Sequence, residues 1–260
     1  MKQGKKVCMT IKTASDIRAM ELAGRLAAEV LQYTGKFVRV GISTEELDRI
    51  ANDFTLSKGA TSACIGYHGY PKAICTSVND VICHGLPRGQ LLKEGDIINI
   101  DVTVLKGGFH GDTSAMFFVG SPTERGKKLT ECAFEAMHRG IEAARAGAHT
   151  GDIGFAIDKL VSRRGFYAVK EVGGHGIGRA FHEEPFVPSF GKKGKGAPLL
   201  KWGTITVEPM VNETKAPIRE VTIPDSDITE FKTSDGSWSA QYEHTILITD
   251  GAPQILTLTG

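Results

Sequence analysis

The sequence predicts an α/β fold built from one unit used twice, and three observations carry that prediction. Two pairs of capped, amphipathic helical segments occur, each pair is followed by an acid-bearing strand pattern, and short matches between the halves recur in one order. Arg39-x-Gly41-x-x-Thr44 returns as Arg145-x-Gly147-x-x-Thr150, and Gly59 returns as Gly165. Lys93-x-Gly95-x-Ile97 returns as Lys201-x-Gly203-x-Ile205, and Asp112 to Gly120 returns as Glu243 to Gly251. Any one match is within chance; their shared order argues for duplication.

The first helix opens on a capping box, Thr13-Ala-Ser-Asp16, and places Ile17, Met20, Gly24, Ala27 and Leu31 at helical spacing. Ser43-Thr-Glu-Glu46 caps a second helix, with Leu47, Ile50, Ala51 and Phe54 on one face. A Cys-, Tyr- and Gly-rich stretch over 60–86 follows. Ile98, Ile100 and Val102 then alternate with Asn99 and Asp101, the period of two that a strand requires. Gly107-Gly108 supplies a turn, and Asp112 is expected to open a second strand running through Ala115-Met-Phe-Phe-Val119. A third helix is predicted from Leu129, carrying Cys132, Ala133, Ala136, Met137 and Ala144. Thr150 is expected to cap a fourth, with Ile153, Ala156, Ile157, Leu160 and Val161. Extra chain in the second half falls within Asn212 to Ser239, where Pro217, Pro224, Asp225, Ser226, Asp227 and Gly236 predict an extended excursion.

With 260 residues the chain is long enough for a buried core, and 31 Lys+Arg against 30 Asp+Glu leave a formal charge of +1. There is no global field for nucleic acid or an anionic membrane, so any basic docking surface must be local. Cys8, Cys64, Cys75, Cys83 and Cys132 form no C-x-x-C pair, which disfavours a zinc ribbon, and their odd number and spacing fit a reducing compartment. The first ten residues lack the apolar stretch of a signal peptide, and no apolar run approaches the ~18 residues of a membrane span. A cytoplasmic protein is expected, with residues 1–12 as a tail and 13–257 as one domain whose halves are roughly 13–122 and 123–253.

Duplication has a chemical consequence. The first strand of each copy delivers Asp101 and then Glu208; the second delivers Asp112 and then Glu243. Taken alone, either pair reads as acids on a solvated hairpin. Four carboxylates converging on one axis, however, repel one another by several kcal/mol unless protons or cations intervene. Two divalent ions would balance four carboxylates, and one imidazole would move the preference towards Mn, Fe or Co. His175, in Gly173-Gly-His175-Gly-Ile-Gly178, is the candidate, against the alternative of a surface histidine in a glycine turn. Gly174-x-Gly176-x-Gly178 lacks the dinucleotide-binding spacing, and Gly191-Lys-Lys-Gly-Lys-Gly196 runs into Ala197 rather than a phosphate-loop Lys-Ser/Thr. His182-Glu-Glu-Pro-Phe186 is not H-E-x-x-H, which removes a single-zinc helix site.

Asn99-Ile-Asp101-Val, Gly111-Asp112-Thr-Ser, Gly174-His175-Gly-Ile-Gly, Val207-Glu208-Pro-Met and Gln241-Tyr-Glu243-His-Thr resemble, in order, the five metal-ligand motifs of the type I bacterial methionine aminopeptidases. The resemblance runs from about Thr13 to Thr257. It implies a pita-bread fold: a pseudo-two-fold duplicated α/β unit with a central curved antiparallel sheet flanked by helices. It implies a dinuclear aminopeptidase that removes the initiator methionine when the next residue is small. Asp101 and Asp112 would bind one ion, Asp112 and Glu243 would bridge, and His175 and Glu208 would complete the second, with Zn or Ni as the other metals to consider. Glu208 would shuttle the proton, His182 would steady the oxyanion, and His84 would contact the peptide at the following amide. Cys64, Tyr67, Tyr70, Cys75 and Phe181 resemble the walls of the methionine pocket, although without the resemblance they read as an ordinary core cluster. Asn79, Val81 and Ser239 fall where the family holds a monovalent cation.

One departure concerns the pocket rim, where Thr229, with Phe231 nearby, replaces an aromatic residue that related enzymes carry. The other readings considered are a non-catalytic binding module on this fold, disfavoured because all five ligands and both histidines are present, and a proline-directed dipeptidase. The resemblance also implies action on nascent chains, which turns attention to Lys192, Lys193 and Lys195 as a mobile basic loop for ribosomal RNA, against a merely solvated loop. No membrane contact, no sequence-specific nucleic acid and a monomer are expected.

Overall fold

The computed structural model describes residues 9–224, 226 and 228–259. Cys8, the rest of 1–8, Asp225 and Asp227 lie outside the described residues. Four helices occur in two pairs: α1 (Ala14–Gly35) and α2 (Thr44–Ser57), then α3 (Glu124–Ala143) and α4 (Thr150–Arg163). After α2 come β1 (Thr61–Ser62), β2 (Cys75–Val78), β3 (Val81–Cys83), β4 (Ile97–Lys106) and β5 (Phe109–Phe118). After α4 come β6 (Tyr167–Ala168), β7 (Gly174–Gly176), β8 (Glu183–Val187), β9 (Thr204–Val207) and β10 (Met210–Asn212). The chain closes with β11 (Ile218–Thr222), β12 (Thr229–Thr233), β13 (Ser239–Gln241), β14 (Glu243–Leu247) and β15 (Gln254–Ile255).

Among the described residues, the main sheet runs β1-β4-β5-β14-β9-β7-β8, with β2 also on β4 and β15 also on β14. Its pairings are antiparallel. Alternation along β4 sends Ile98, Ile100, Val102 and Val104 against Leu26, Val30, Leu47 and Ala51 of α1 and α2. A second core joins Ile205, Val207 and Ile246 to Ala133, Met137, Ile153 and Ile157 of α3 and α4. Each half therefore has its own core, and each fully buried Ile or Leu contributes about 1.5–3 kcal/mol.

The repeated residues hold equivalent places. Gly41 and Gly147 both turn into the left-handed region, at φ 82° and 84°, which glycine adopts without a Cβ penalty. The N–H of Gly41 donates to Leu92 O and that of Gly147 to Leu199 O, each fastening a helix pair to the approach to its strands. Helix α1 lies so close to β5 that a Cβ on Gly111 would sit 2.4 Å from the Ala23 backbone. Backbone cannot step aside as a side chain can, so glycine is required beside Asp112.

Several expectations need correction. The third helix starts at Glu124 on a Thr123 cap, not at Leu129, because the polar first turn carries no apolar signal. His149, not Thr150, is the cap of α4, and its N–H donates to the Asp152 carboxylate at 2.8 Å. Thr150 instead accepts from Ala197 N–H, as Thr44 accepts from Arg88 N–H. Strand β5 begins at Phe109, so Asp112 lies inside it. The expected tail is packed from Met9, which is 4% exposed, and Lys12 is buried in a 2.7 Å ion pair with Glu183. The excursion is a hairpin, β11–β12, which crosses to the first half and pairs with β3. No helix among the described residues is long and apolar enough to cross a membrane.

Candidate metal centre

Register brings the acids together. Asp101 pairs with Ser114, Ser114 pairs with Glu243, and His244 pairs with Val207, so Glu208 follows directly beside Glu243. Directly paired residues share a face, so Asp101, Glu243 and Glu208 lie in one row across the four central strands. Asp112 is two residues from Ser114 and shares that face. The two aspartates are thus diagonal neighbours, not opposite partners.

His175 enters from β7. Its Nε2 lies 3.6 Å from Asp112 Oδ2 and 3.5 Å from Glu208 Oε1. Nδ1 is 2.9 Å from the Gly176 carbonyl, which can only accept, so Nδ1 carries a proton and Nε2 is the nitrogen turned to the acids. Asp112, His175 and Glu243 are all buried and present ligand atoms within 4.8 Å of one another.

Burial first, and then Asp112 beside it, pushes the Asp101 carboxyl well above the usual range. Burial, then Asp112 and Glu208, does the same to Glu243, and burial also raises Glu208. His175 is opposed by burial, but the Asp112 and Glu208 carboxylates prevail and raise it. The buried Asp101 Oδ1 has no hydrogen-bond partner. Buried acids repelling one another, an orphaned carboxylate oxygen and an imidazole with Nε2 turned to them are a donor set that fits divalent cations.

Neutral groups hold these side chains. Thr103 donates to Asp112 Oδ1 at 2.7 Å, Thr206 to Glu208 Oε1 at 2.7 Å, and Gln241 to Glu208 Oε2 at 3.2 Å. Sequence reasoning missed all three, although each stands two residues from a recognised acid on a strand or its continuation, where period two puts it on the same face.

The acids floor a cavity of about 290 Å³, and every expected catalytic and pocket residue borders it: Cys64, Tyr67, Tyr70, Cys75, His84, Phe181 and His182. His68, Ile228 and Thr229 also border it. His68 sits in a one-turn 3-10 helix, Tyr67–Gly69, and Ile228 in a loop; neither had a pattern to reveal it. Tyr67 does more than form a wall: its hydroxyl lies 2.6 Å from His182 Nδ1, and its ring stacks 5.1 Å from the His182 ring. Desolvation, then the nearby His175, lowers His182 to about 4, so its ring is neutral at pH 7. His84, at φ 58°, opens on the cavity, with its basicity lowered by the protein around it.

Two expected features lie away from this cavity. The N–H of Ser239 donates to Asn79 O at 2.9 Å, and the buried Ser239 hydroxyl lacks a partner. The lysine loop is held rather than mobile: Gly151 N–H donates to Lys195 O and Gly194 N–H to Asp152. Gly191 and Gly196 serve close packing on α4, against Gly151 and Thr150.

Comparisons with known proteins show the family. The model of metallopeptidase family M24 matches residues 18–250. The methionine aminopeptidase of Escherichia coli strain K12 is 50% identical over 97% of this chain and 95% of its own. That of Buchnera aphidicola subsp. Schizaphis graminum is 46% identical over 95% and 93%. The crystal structure of methionine aminopeptidase from Rickettsia prowazekii superposes with a TM-score of 0.92 at 41% identity, covering 96% of this chain and 100% of that one. Prolidase from Pyrococcus horikoshii OT3, at 22% identity and TM-score 0.74, shares the fold; this chain spans 64% of it.

Proposed function

The chain belongs to metallopeptidase family M24, with its pita-bread fold, and removes N-terminal methionine as a metal-dependent aminopeptidase; from that premise we propose how its residues divide the work. Asp101, Asp112, His175, Glu208 and Glu243 would hold the divalent ions, with Asp112 and Glu243 as the ligands common to both. Mn, Fe or Co suit four carboxylates and one imidazole, with Zn and Ni as the other options. Such ions supply Lewis acidity and a water acidified from a pKa of ~15.7 towards ~7. The observation that carries this reading is the row of acids with the unpartnered Asp101 oxygen.

Glu208 takes the proton of the attacking water and hands it to the leaving amine; Thr206 and Gln241 fix its carboxylate for both transfers. His182, accepting at Nδ1 from the Tyr67 hydroxyl, keeps a proton on Nε2 and donates a hydrogen bond from it to the developing oxyanion. His84 binds the peptide at the following amide. Cys64, Tyr67, Tyr70, Cys75 and Phe181 receive the methionine side chain, where sulfur–aromatic contacts are each worth up to ~1.5 kcal/mol. The protein reconstituted with Mn is expected to cleave Met-Ala-Ser, to cleave Met-Leu-Ser far more slowly, and to leave Ala-Pro intact. Turnover of Ala-Pro alone would favour a dipeptidase, and no turnover of any of them a binding module.

The proposal extends to the surroundings. One catalytic domain covers 9–257, since packing begins at Met9, with its halves meeting near 122–123. Asn79, Val81 and Ser239, beside the unpartnered Ser239 hydroxyl, would hold a monovalent cation in a structural role. The chain works as a monomer in the cytoplasm, in keeping with Cys64, Cys75, Cys83 and Cys132 all being free and buried. Nascent chains are the substrates, and Lys192, Lys193 and Lys195 dock to ribosomal RNA. In support, Lys193 borders a groove where Arg139, Arg145, Lys159 and Arg163 outnumber Glu142 and Asp152, and the pinned loop presents its charges at little entropic cost. Changing the three lysines to Ala should weaken ribosome co-sedimentation and make its salt dependence shallower, while Met-Ala-Ser is hydrolysed normally. Unchanged co-sedimentation would leave the loop a solvated surface.

A further inference from the structure

The hairpin β11–β12 has no counterpart in the first half, and it reaches across to the residues that carry His84. Strand β12 meets them at consecutive positions. Thr229 borders the cavity. Phe231 pairs with Cys83 and sets its ring edge-on to the His84 ring, with centroids 5.5 Å apart. Between them, Glu230 is 1% exposed and points its carboxylate at the segment after His84. Its Oε1 accepts from Leu86 N–H at 2.8 Å and from Arg88 Nη1 at 2.7 Å.

This segment needs holding. His84 adopts φ 58°, in the left-handed region that a non-glycine residue occupies at a cost and keeps only when its surroundings impose it. On one side β2 imposes it: Thr76 N–H donates to Gly85 O, and Gly85 N–H donates to Ser77 Oγ. On the other side, Glu230 fixes both the backbone of Leu86 and the guanidinium of Arg88, whose own N–H donates to Thr44. Without that carboxylate a buried N–H and the inner face of a guanidinium would lose their acceptor together, and the backbone would move to find water.

We propose that Glu230, with Arg88, is a positioning residue for His84: it fixes the backbone on which the imidazole is aimed at the peptide. The inference rests on the substrate-binding role given to His84 above. Glu230→Ala should lower kcat/KM for Met-Ala-Ser by about 10- to 100-fold, since a misplacement near 1 Å can cost that much. Glu230→Gln keeps an acceptor oxygen for both donors and should recover most of the loss. Arg88→Met, which removes one donor and leaves the buried one paired, should fall between them.

Three measurements separate the readings. In a His84→Ala background, Glu230→Ala should add little further loss, because residues acting through one group are not additive. A full additional loss there would overturn the proposal. The His84 imidazole resonances, assigned by comparison with His84→Ala, should shift in Glu230→Ala and return in Glu230→Gln. Unmoved resonances would overturn it, even in a folded, inactive variant. His84→Ala with undiminished activity would overturn the role given to His84, while the resonances still decide whether Glu230 positions its ring. Affinity for Mn should be the same in all these proteins.

Discussion

Stripping the protein with a chelator should abolish hydrolysis of Met-Ala-Ser and leave a folded chain that melts at a lower temperature as the pH rises. Loss of activity should be about 10³-fold or more, since the attacking water reverts from a pKa near ~7 towards ~15.7, and Mn, Fe or Co should restore it. The pH trend follows from the acids. Asp101, Glu208 and Glu243 are all raised above their ordinary values by burial, with Asp112 adding to each. A group raised in the folded state lends stability below its unfolded pKa, near ~4 for a carboxyl, and loses it as pH climbs through the folded value. Above about pH 4 the stripped protein should therefore weaken as the pH rises, and a divalent ion should reverse the trend. Glu243→Gln removes one of the repelling charges without changing shape. At pH 7.5 the stripped variant should melt above the stripped parent, yet remain inactive with Mn. A stripped variant that melts lower would show that the four acids do not strain one another.

His182→Ala should lower kcat by about 10²- to 10³-fold, the usual effect of losing one donor to an oxyanion, worth ~2.7–4 kcal/mol. Affinity for Mn, measured by calorimetry, should hardly change. The reason is geometric: the His182 ring lies 4.1 Å from the His175 ring at a tilt of 51°, but its Nδ1 is taken by the Tyr67 hydroxyl. Tyr67→Phe frees that nitrogen and lets the ring change tautomer, so kcat should fall, though by less. If His182→Ala instead lost metal while the remaining loaded enzyme kept its kcat, His182 would be a ligand and not a donor.

Much of this centre is legible in the residues. Ile98, Ile100 and Val102 alternating with Asp101 mark a strand with an acid on one face, and the fold bears that out. The Thr13 and Ser43 caps are where their side chains require. Recurring Gly41 and Gly147 signal one unit used twice, because a left-handed turn excludes most other residues. The chemistry of four acids facing one another could therefore be stated before any coordinates. Local patterns stop short where polarity hides an element: the first turn of α3 is Glu124-Arg-Gly-Lys-Lys, which reads as loop without Thr123 seen in place as its cap.

Tertiary structure alone decided which residues meet. Asp101, Glu243 and Glu208 form a row only because β4, β5, β14 and β9 pair in one register, and a slip of one residue would turn an acid to the opposite face. Register between strands more than a hundred residues apart is set by the two cores behind them, not by periodicity within either strand. Lys12 on Glu183, Tyr67 on His182 and Glu230 behind His84 belong to the same class. Each is a polar contact between distant segments. A sequence records the donors and acceptors; only the folded chain excludes water from the space between them and so makes one partner obligatory.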